Sequence, residues 1–168
     1  MRVTIANTGE VPLPASFGFH PAFAWPLPGG AERADHRIEF ERDEPAMLRA
    51  ITQGGLIGHT AKPSPVVGRG FALTDALFAN DALVWTELAS RRLRYGVPGA
   101  ASLDIAFPDT TMLGIWTKSG ARFVCIEPWA GHADPAGYDG DFRVKPGVFT
   151  VAPGMARHFA MTVTVHPR

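Results

Sequence analysis

The sequence predicts an all-β protein whose antiparallel strands form a sandwich or a large curved sheet. Apolar residues alternate with polar ones over short runs, which is the period of a strand, and almost no segment has helical spacing. Turn-forming residues separate these runs, and the chain contains 18 glycines and 15 prolines in 168 residues. A closed barrel would fit the same pattern.

The predicted strands are short runs rich in β-branched and aromatic residues. The first of them, residues 2–6, has Val3 and Ile5 facing one way. Nothing before it provides a partner strand, so the chain is expected to begin inside a fold. In chain order, the predicted strands are residues 2–6, 16–19, 37–41, 47–51, 82–88, 92–95, 102–107, 112–117, 122–127, 148–151 and 158–165.

Turn chemistry supports the boundaries between these strands. The predicted turns are Asn7-Thr8-Gly9, Pro28-Gly29-Gly30, Gly54-Gly55, Pro98-Gly99, Lys118-Ser119-Gly120 and Pro153-Gly154. One helical turn is predicted at residues 74–79, with Thr74 as its N-cap. No internal repeat, low-complexity tract or linker is evident, so residues 1–168 are predicted to form one domain.

Composition and charge indicate one hydrophobic core and a neutral ligand. The chain is 46% hydrophobic and 19% charged, which suits a single sizeable core. Lysine plus arginine equals aspartate plus glutamate at 16 each, so neither nucleic acid nor an anionic membrane surface is an expected partner.

The single cysteine, Cys125, excludes an internal disulfide. It lies in an apolar run, which predicts a buried, unreactive thiol in a reducing compartment. No signal-like leader opens the chain, and no apolar run approaches the ~20 residues of a membrane span. We therefore expect a cytoplasmic protein without a membrane anchor.

The segment Phe123-Val124-Cys125-Ile126-Glu127-Pro128-Trp129 combines a strand pattern with a terminal carboxylate and an aromatic ring. Phe123, Cys125 and Glu127 share one face, and Pro128 is expected to end the strand. Partial burial there would raise the pKa of Glu127 toward the range useful for proton transfer, and the Trp129 ring offers a flat face to a sugar. The alternative is a strand-end glutamate beside a packing tryptophan.

The segment Ser16-Phe17-Gly18-Phe19-His20-Pro21-Ala22-Phe23 delivers a histidine from an apolar strand. Pro21 restricts His20 to extended geometry, and Gly18 permits a close approach of backbone or ligand. Imidazole exchanges protons near neutral pH, which suits His20 to acid or base catalysis. The alternative is a core histidine that bonds a backbone carbonyl.

Asp81 precedes the predicted strand 82–88. Its carboxylate can bond sugar hydroxyls or cap the turn, and capping is the commoner role. In the loop after Trp129, His132 and Asp134 can meet a ligand, although a purely polar loop is the favoured interpretation.

No metal site is predicted. Asp134, Asp139 and Asp141 lie in a glycine-rich loop but lack the ordered ligand spacing and closing glutamate of an EF-hand. No cysteine–histidine pairing has the spacing of a zinc site.

The three segments around His20, Asp81 and Glu127 together resemble the aldose 1-epimerase family, whose fold is called galactose mutarotase-like. The closing Val144-Lys145-Pro146-Gly147 is also similar to the end of that fold. The resemblance spans nearly the whole chain, but it implies only the C-terminal portion of the family's antiparallel β-sandwich (supersandwich). Family members carry a further N-terminal β region that supplies an arginine and another histidine to the sugar pocket.

The resemblance implies an enzyme that interconverts the α and β anomers of a free hexose by acid–base ring opening. The family's general acid corresponds to His20 and its general base to Glu127. Asp81 and Trp129 correspond to substrate-binding residues. This chemistry requires neither a metal nor an organic cofactor.

Two other functions are consistent with the same residues. Without the N-terminal region, the chain would be a non-catalytic carbohydrate-binding or remnant protein, and an exposed sheet edge would favour a homodimer. A hexose-6-phosphate 1-epimerase would need clustered arginines, and Arg91-Arg92 with Arg94 is the one tight group.

Overall fold

The computed structural model describes residues 1–29 and 31–167. Gly30 of the predicted turn 28–30 lies outside them. The chain forms the strands β1 (Arg2–Ala6), β2 (Leu13–Ala15), β3 (Phe17–Gly18), β4 (Ala22–Ala24), β5 (Arg37–Phe40), β6 (Leu48–Thr52), β7 (Leu56–Lys62), β8 (Gly70–Ala72), β9 (Leu83–Trp85), β10 (Arg92–Gly96), β11 (Ser102–Ala106), β12 (Met112–Trp116), β13 (Phe123–Ala130), β14 (Phe149–Val151), β15 (Ala156–Ala160) and β16 (Thr162–His166).

The strands form two large sheets and two small ones. One large sheet has the order β16-β11-β10-β5-β8. The other has the order β3-β13-β12-β9-β6-β7, with β4 as a second partner of β13 beside β3. The pairs β1-β15 and β14-β2 form the small sheets. All these pairings are antiparallel, which confirms the predicted all-β class.

Aromatic contacts join the two large sheets into a sandwich. The Trp85 ring of β9 lies 5.8 Å from Phe40 of β5 and 6.3 Å from Phe71 of β8, between ring centroids. Phe23 of β4 lies 6.5 Å from Tyr95 of β10. Burial of these large rings provides a major part of the hydrophobic stabilisation.

The inward-facing residues of β13 determine which face of the sheet remains for a site. Val124 and Ile126 are fully buried in the shared core. Since side chains alternate along a strand, Cys125, Glu127 and Trp129 lie on the opposite face of the seven-stranded sheet.

Two predicted strand boundaries on β13 and its partner are wrong. Strand β13 does not end before Pro128 but continues to Ala130. The Pro128 carbonyl accepts a hydrogen bond from the Phe19 N–H at 3.0 Å, so the side of Pro128 that lacks an N–H faces this segment and not β12. The predicted strand 16–19 shortens to β3, and Ser16 separates it from β2, which was not predicted.

The predicted strand 158–165 is also wrong, because it contains a change of sheet. Strand β15 ends at Ala160 and pairs with β1, whereas β16 begins at Thr162 and pairs with β11. The buried Met161 lies between them. Its N–H donates a hydrogen bond to the Met1 carbonyl, and its carbonyl accepts one from the Met1 ammonium group. The alternating pattern continues across this junction and therefore hides it.

Smaller differences concern short elements. The predicted strand 82–88 shortens to β9, and β4, β7 and β8 were not predicted. The predicted helical turn is a 3₁₀ helix over Asp75–Phe78, and Thr74 takes the N-cap position without a capping side-chain hydrogen bond. Within residues 1–29 and 31–167, no helix is long and apolar enough to cross a lipid bilayer.

Candidate functional site

Strand pairing brings His20 and Glu127 together. Strand β13 pairs with β3 through Trp129 and Gly18, and with β4 through Cys125 and Ala22, in one common register. Between these two pairs, the register places His20 directly opposite Glu127. His20 Nε2 lies 3.5 Å from Glu127 Oε1.

Two prolines interrupt regular pairing on either side of this couple. Pro21 accepts a hydrogen bond from the Ile126 N–H at 3.3 Å, and Pro128 accepts one from Phe19 at 3.0 Å. Because proline lacks an N–H, each opposed pair keeps one hydrogen bond instead of two. The His20 segment is therefore anchored to β13 without being part of a continuous strand.

The two groups differ in exposure. The Glu127 side chain is 6% exposed, whereas the His20 side chain is 66% exposed. Burial raises the pKa of Glu127 above its ordinary value, and the charge of His20 and the side chain of Trp129 act in the opposite direction. The arrangement is a desolvated carboxyl group with an imidazole on its solvent side.

Two glycines allow the Trp129 indole to lie flat against the sheet. A Cβ added to Gly18 would lie 2.4 Å from Trp129 Cδ1, and one added to Gly114 would lie 2.4 Å from Cη2. Both distances are far below van der Waals contact, so the ring occupies the space that side chains would need. The space at Gly18, expected to admit backbone or a ligand, is filled by this ring.

All four predicted site residues line one pocket of about 300 Å³. His20, Glu127 and Trp129 lie on or beside β13, and Asp81 reaches the pocket from the turn before β9. Apolar side chains, including Ile57 of β7, complete the lining. The pocket thus combines a few polar groups with apolar walls, as ligand sites commonly do.

Asp81 lies two residues before β9 rather than at the strand's first residue. Its backbone has a φ of 78°, in the left-handed region, and its Oδ1 accepts a hydrogen bond from the Ala82 N–H at 2.7 Å. Capping of the turn, the commoner role for such an aspartate, is therefore observed. Asp81 also lines the pocket.

The loop after β13 closes the pocket along the far edge of the sheet. The Ile57 N–H of β7 bonds the Asp134 carbonyl at 2.8 Å, and the Ala136 N–H bonds the Ile57 carbonyl at 2.8 Å. Ala133 of this loop lines the pocket, whereas the Asp134 carboxylate pairs with Lys145. His132 is directed to the Ala133 carbonyl, and neither His132 nor Asp134 lines the pocket.

The predicted arginine cluster lies elsewhere. Arg94 pairs with Asp104 at 2.7 Å on the five-stranded sheet, and Arg92 lies 3.9 Å from Glu41. Arg91 bonds backbone carbonyls. None of the three lines the pocket around Glu127.

Cys125 belongs to the site, although its sequence context indicated only an unreactive core thiol. It is buried, and its Sγ lies with His20 nitrogen and Glu127 oxygen atoms in a group whose members are all within 4.8 Å of one another. Burial, followed by the Glu127 charge, raises the pKa of Cys125 to about 11. The i, i+2 spacing of Cys125 and Glu127 was the available signal.

The fold is similar to that of solved galactose mutarotase-like proteins. A galactose mutarotase-like protein from Lactobacillus casei ATCC 334 superposes with a TM-score of 0.86 at 24% identity, covering 98% of this chain and 58% of that one. A galactose mutarotase related enzyme from Lactobacillus acidophilus gives 0.81 at 24% identity, covering 98% and 56%. A galactose mutarotase-like protein from Clostridium acetobutylicum gives 0.69 at 15% identity, covering 99% and 52%.

These comparisons establish the fold. The chain spans little more than half the length of these three solved structures. No model of a known protein family matches the sequence, and no curated protein sequence matches it significantly.

Proposed function

We propose that this chain carries the acid–base site of an aldose 1-epimerase acting on a free hexose. One observation carries the proposal: a buried carboxyl group, Glu127, lies 3.5 Å from the imidazole of His20 in a pocket of about 300 Å³ beside a flat indole. A base and an acid in contact with the same cavity are what anomer interconversion needs.

The proposed reaction moves two protons. Glu127, as the carboxylate, removes the proton from the C1 hydroxyl, while protonated His20 gives a proton to the ring oxygen. The C1–O5 bond breaks and an open-chain aldehyde forms. After rotation about C1–C2, the O5 hydroxyl attacks the other face of the aldehyde, and each proton returns to the group that supplied it.

The raised pKa of Glu127 suits this role, because a stronger base accepts a proton more readily. Trp129 would contact the apolar C–H face of the sugar, and Asp81 would accept hydrogen bonds from its hydroxyls.

A neutral hexose is favoured over a phosphorylated one. Phosphate recognition uses arginine side chains with free hydrogen-bond donors. Arg91, Arg92 and Arg94 are engaged outside the pocket, and no arginine is among the described residues that line it.

We further propose that residues 1–168 form a single domain that corresponds to the C-terminal portion of the longer mutarotase fold. The match to nearly all of this chain but to 52–58% of three solved structures supports a correspondence to part of the longer fold. A second candidate function is a sugar-binding protein without catalysis. It is supported by the His20 side of the pocket, which is open to solvent.

Polarimetry of freshly dissolved α-glucose and α-galactose tests the enzymatic proposal. We expect the wild-type chain to accelerate mutarotation above the buffer rate, and Glu127→Gln or His20→Asn to reduce the acceleration by about 10²- to 10⁴-fold. Glu87→Gln and His158→Asn change exposed residues outside the pocket and serve as matched controls. Circular dichroism verifies that each variant is folded.

The outcome separates the two candidates. A folded wild-type chain that does not accelerate mutarotation contradicts catalysis by this chain. If sugar then changes the tryptophan fluorescence of the wild type but not of Trp129→Phe, the binding function is supported instead.

A further inference from the structure

We propose that His20, Cys125 and Glu127 form a binding site for a divalent cation of the Zn²⁺ class. The three side chains converge on the outer face of β13, and one ligand atom from each lies within 4.8 Å of the other two. Among residues 1–29 and 31–167, this is the one group of three such side chains that meets that distance.

Strand geometry produces this convergence. Cys125 and Glu127 are two residues apart on β13 and therefore share a face. His20 joins them from the neighbouring segment, where the register places it opposite Glu127. Two of the three ligands are thus held by a central strand, whose position is set by pairing on both sides.

One of the three ligand separations already matches a tetrahedral site, and the other two are within 4.8 Å. With metal–ligand bonds of about 2.0–2.3 Å, tetrahedral ligand atoms lie about 3.3–3.6 Å from one another. His20 Nε2 and Glu127 Oε1 are already 3.5 Å apart. Because the His20 side chain is 66% exposed, its ring can adjust toward Cys125 without disturbing the core.

The chemistry of the three ligands selects the ion. One sulfur, one imidazole nitrogen and one carboxylate oxygen suit Zn²⁺ or Co²⁺, whereas Mg²⁺ and Ca²⁺ prefer oxygen ligands throughout. The thiolate and the carboxylate together neutralise a divalent cation, so the complex as a whole carries no net charge. A neutral complex is compatible with the burial of Cys125 and Glu127.

The site would keep one position open. Cys125 lies behind the pocket, while His20 and Glu127 line it. A cation held by all three would therefore present its fourth position to the pocket, where water or a sugar hydroxyl can bind. Coordination would displace the proton of the Cys125 thiol.

The proposed metal site shares His20 and Glu127 with the proposed epimerase site. The cation would occupy the His20 nitrogen and the Glu127 oxygen that transfer protons in the proposed ring opening. If the proposed epimerase function holds, Zn²⁺ therefore inhibits it, and the metal-free chain is the active form.

Titration of the reduced, full chain with Co²⁺ tests the site without reference to activity. The chain contains one cysteine, so a thiolate-to-cobalt charge-transfer band in the near ultraviolet can arise only from Cys125. We expect this band to saturate at one Co²⁺ per chain, together with the strong visible absorption of tetrahedral Co²⁺, and to disappear when Zn²⁺ is added.

Variants distinguish this site from binding to surface histidines. We expect Cys125→Ala to abolish the charge-transfer band, and His20→Ala and Glu127→Gln to weaken Co²⁺ binding at least tenfold. His158→Ala, which removes an exposed histidine of β15, should leave the charge-transfer band and the Co²⁺ affinity unchanged. Absence of the band in the folded wild-type chain would overturn the proposal, as would a band that is unchanged in both His20→Ala and Glu127→Gln.

Mutarotation measured with and without Zn²⁺ reports separately on the link to catalysis. Inhibition that follows site occupancy supports the link. A metal-free chain that shows no activity would contradict the proposed function, while the cobalt titration would still decide the metal site.

Discussion

Glu127 combines a cost to stability with the chemistry proposed for it. A buried carboxylate loses hydration, and a partner recovers only part of that loss. Its partner here, His20, is largely exposed and lies at 3.5 Å, beyond a short hydrogen bond. The same burial that raises the pKa of Glu127 therefore makes its ionised form unfavourable in the folded protein.

We predict that Glu127→Gln stabilises the protein at neutral and alkaline pH. Because the pKa of Glu127 is raised on folding, its contribution to stability is fully present below its unfolded pKa of about 4.3 and is lost as pH rises through the folded pKa. Glutamine carries no such dependence. We expect the variant's Tm to exceed that of the wild type by about 2–4 °C at pH 8, with the difference shrinking toward pH 4.

Thermal unfolding of both proteins at several pH values measures this difference. Glu87→Gln changes an exposed carboxyl group and should give a difference that stays nearly constant with pH. A Tm difference between Glu127→Gln and wild type that does not grow with pH would contradict the stated cost of burying Glu127.

At the residue scale, the sequence predicted the four residues that line one pocket, but it predicted neither their arrangement nor the place of Cys125 beside them. The alternation on β13 correctly put Cys125 and Glu127 on one face. The contact between His20 and Glu127 depends on the register between distant segments, which local pattern does not encode. The flat position of Trp129 depends on glycines of two other strands and was likewise outside the reach of local pattern.

At the scale of elements, β13 shows how a proline fits in a central strand. Proline is excluded from a strand only at positions where a backbone N–H must donate a hydrogen bond to the neighbouring strand. At position 128, an N–H would point toward the irregular segment between β3 and β4, where no regular strand needs it. On this side, β13 therefore behaves locally as an edge strand. The sequence rule therefore ended the strand too early because it treated both sides of β13 as equivalent.

We predict that Gly114→Ala destabilises the protein by about 1–3 kcal/mol, the usual cost of overpacking. The new methyl group would lie 2.4 Å from Trp129 Cη2 and would force the indole off the sheet. Denaturant unfolding measures the cost, and mutarotation or sugar-dependent fluorescence should weaken in parallel.

A double-mutant cycle with Trp129→Ala isolates the cause. Once the indole is removed, Gly114→Ala should be neutral or slightly stabilising, because alanine suits a strand better than glycine. An equal cost of Gly114→Ala with and without the indole would contradict the proposed fit between Gly114 and Trp129.

At the scale of the whole molecule, the apolar face of the five-stranded sheet is buried at β11 but exposed to solvent at β16. Val163 and Val165 of β16 pair with Ile105 and Leu103 of β11 and share their face. The β11 residues are buried, whereas Val165 is 67% exposed. Strand β16 is also the end of its sheet, so its outer backbone edge has no partner strand in the described part of the chain.

We predict that Val163 and Val165, on the free edge strand β16, support self-association, in which a second copy of the chain covers β16. Free edges and exposed apolar rows favour strand pairing between molecules. Light scattering coupled to size exclusion should give a dimer mass for the wild type, and Val165→Lys should shift it to a monomer. Thr164→Lys, on the opposite face of β16, is the matched control and should leave the dimer intact.

A wild-type chain that is monomeric at high micromolar concentration would contradict this proposal.

The sequence predicted the all-β sandwich because alternation and turns are local signals. It did not predict the split between β15 and β16, because both halves alternate and the change of sheet depends on contacts between Met161 and Met1.

Magnetisation transfer between the anomers of galactose at equilibrium tests whether Glu127 is the base of an epimerase. Saturating the α C1 proton signal should reduce the β signal in the presence of the wild-type chain, because catalysed ring opening carries the saturated proton from one anomer to the other. Glu127→Gln should bind the sugar but transfer no saturation. Transfer at the buffer level with the folded wild-type chain, or equal transfer with Glu127→Gln, would contradict Glu127 as the base of an epimerase.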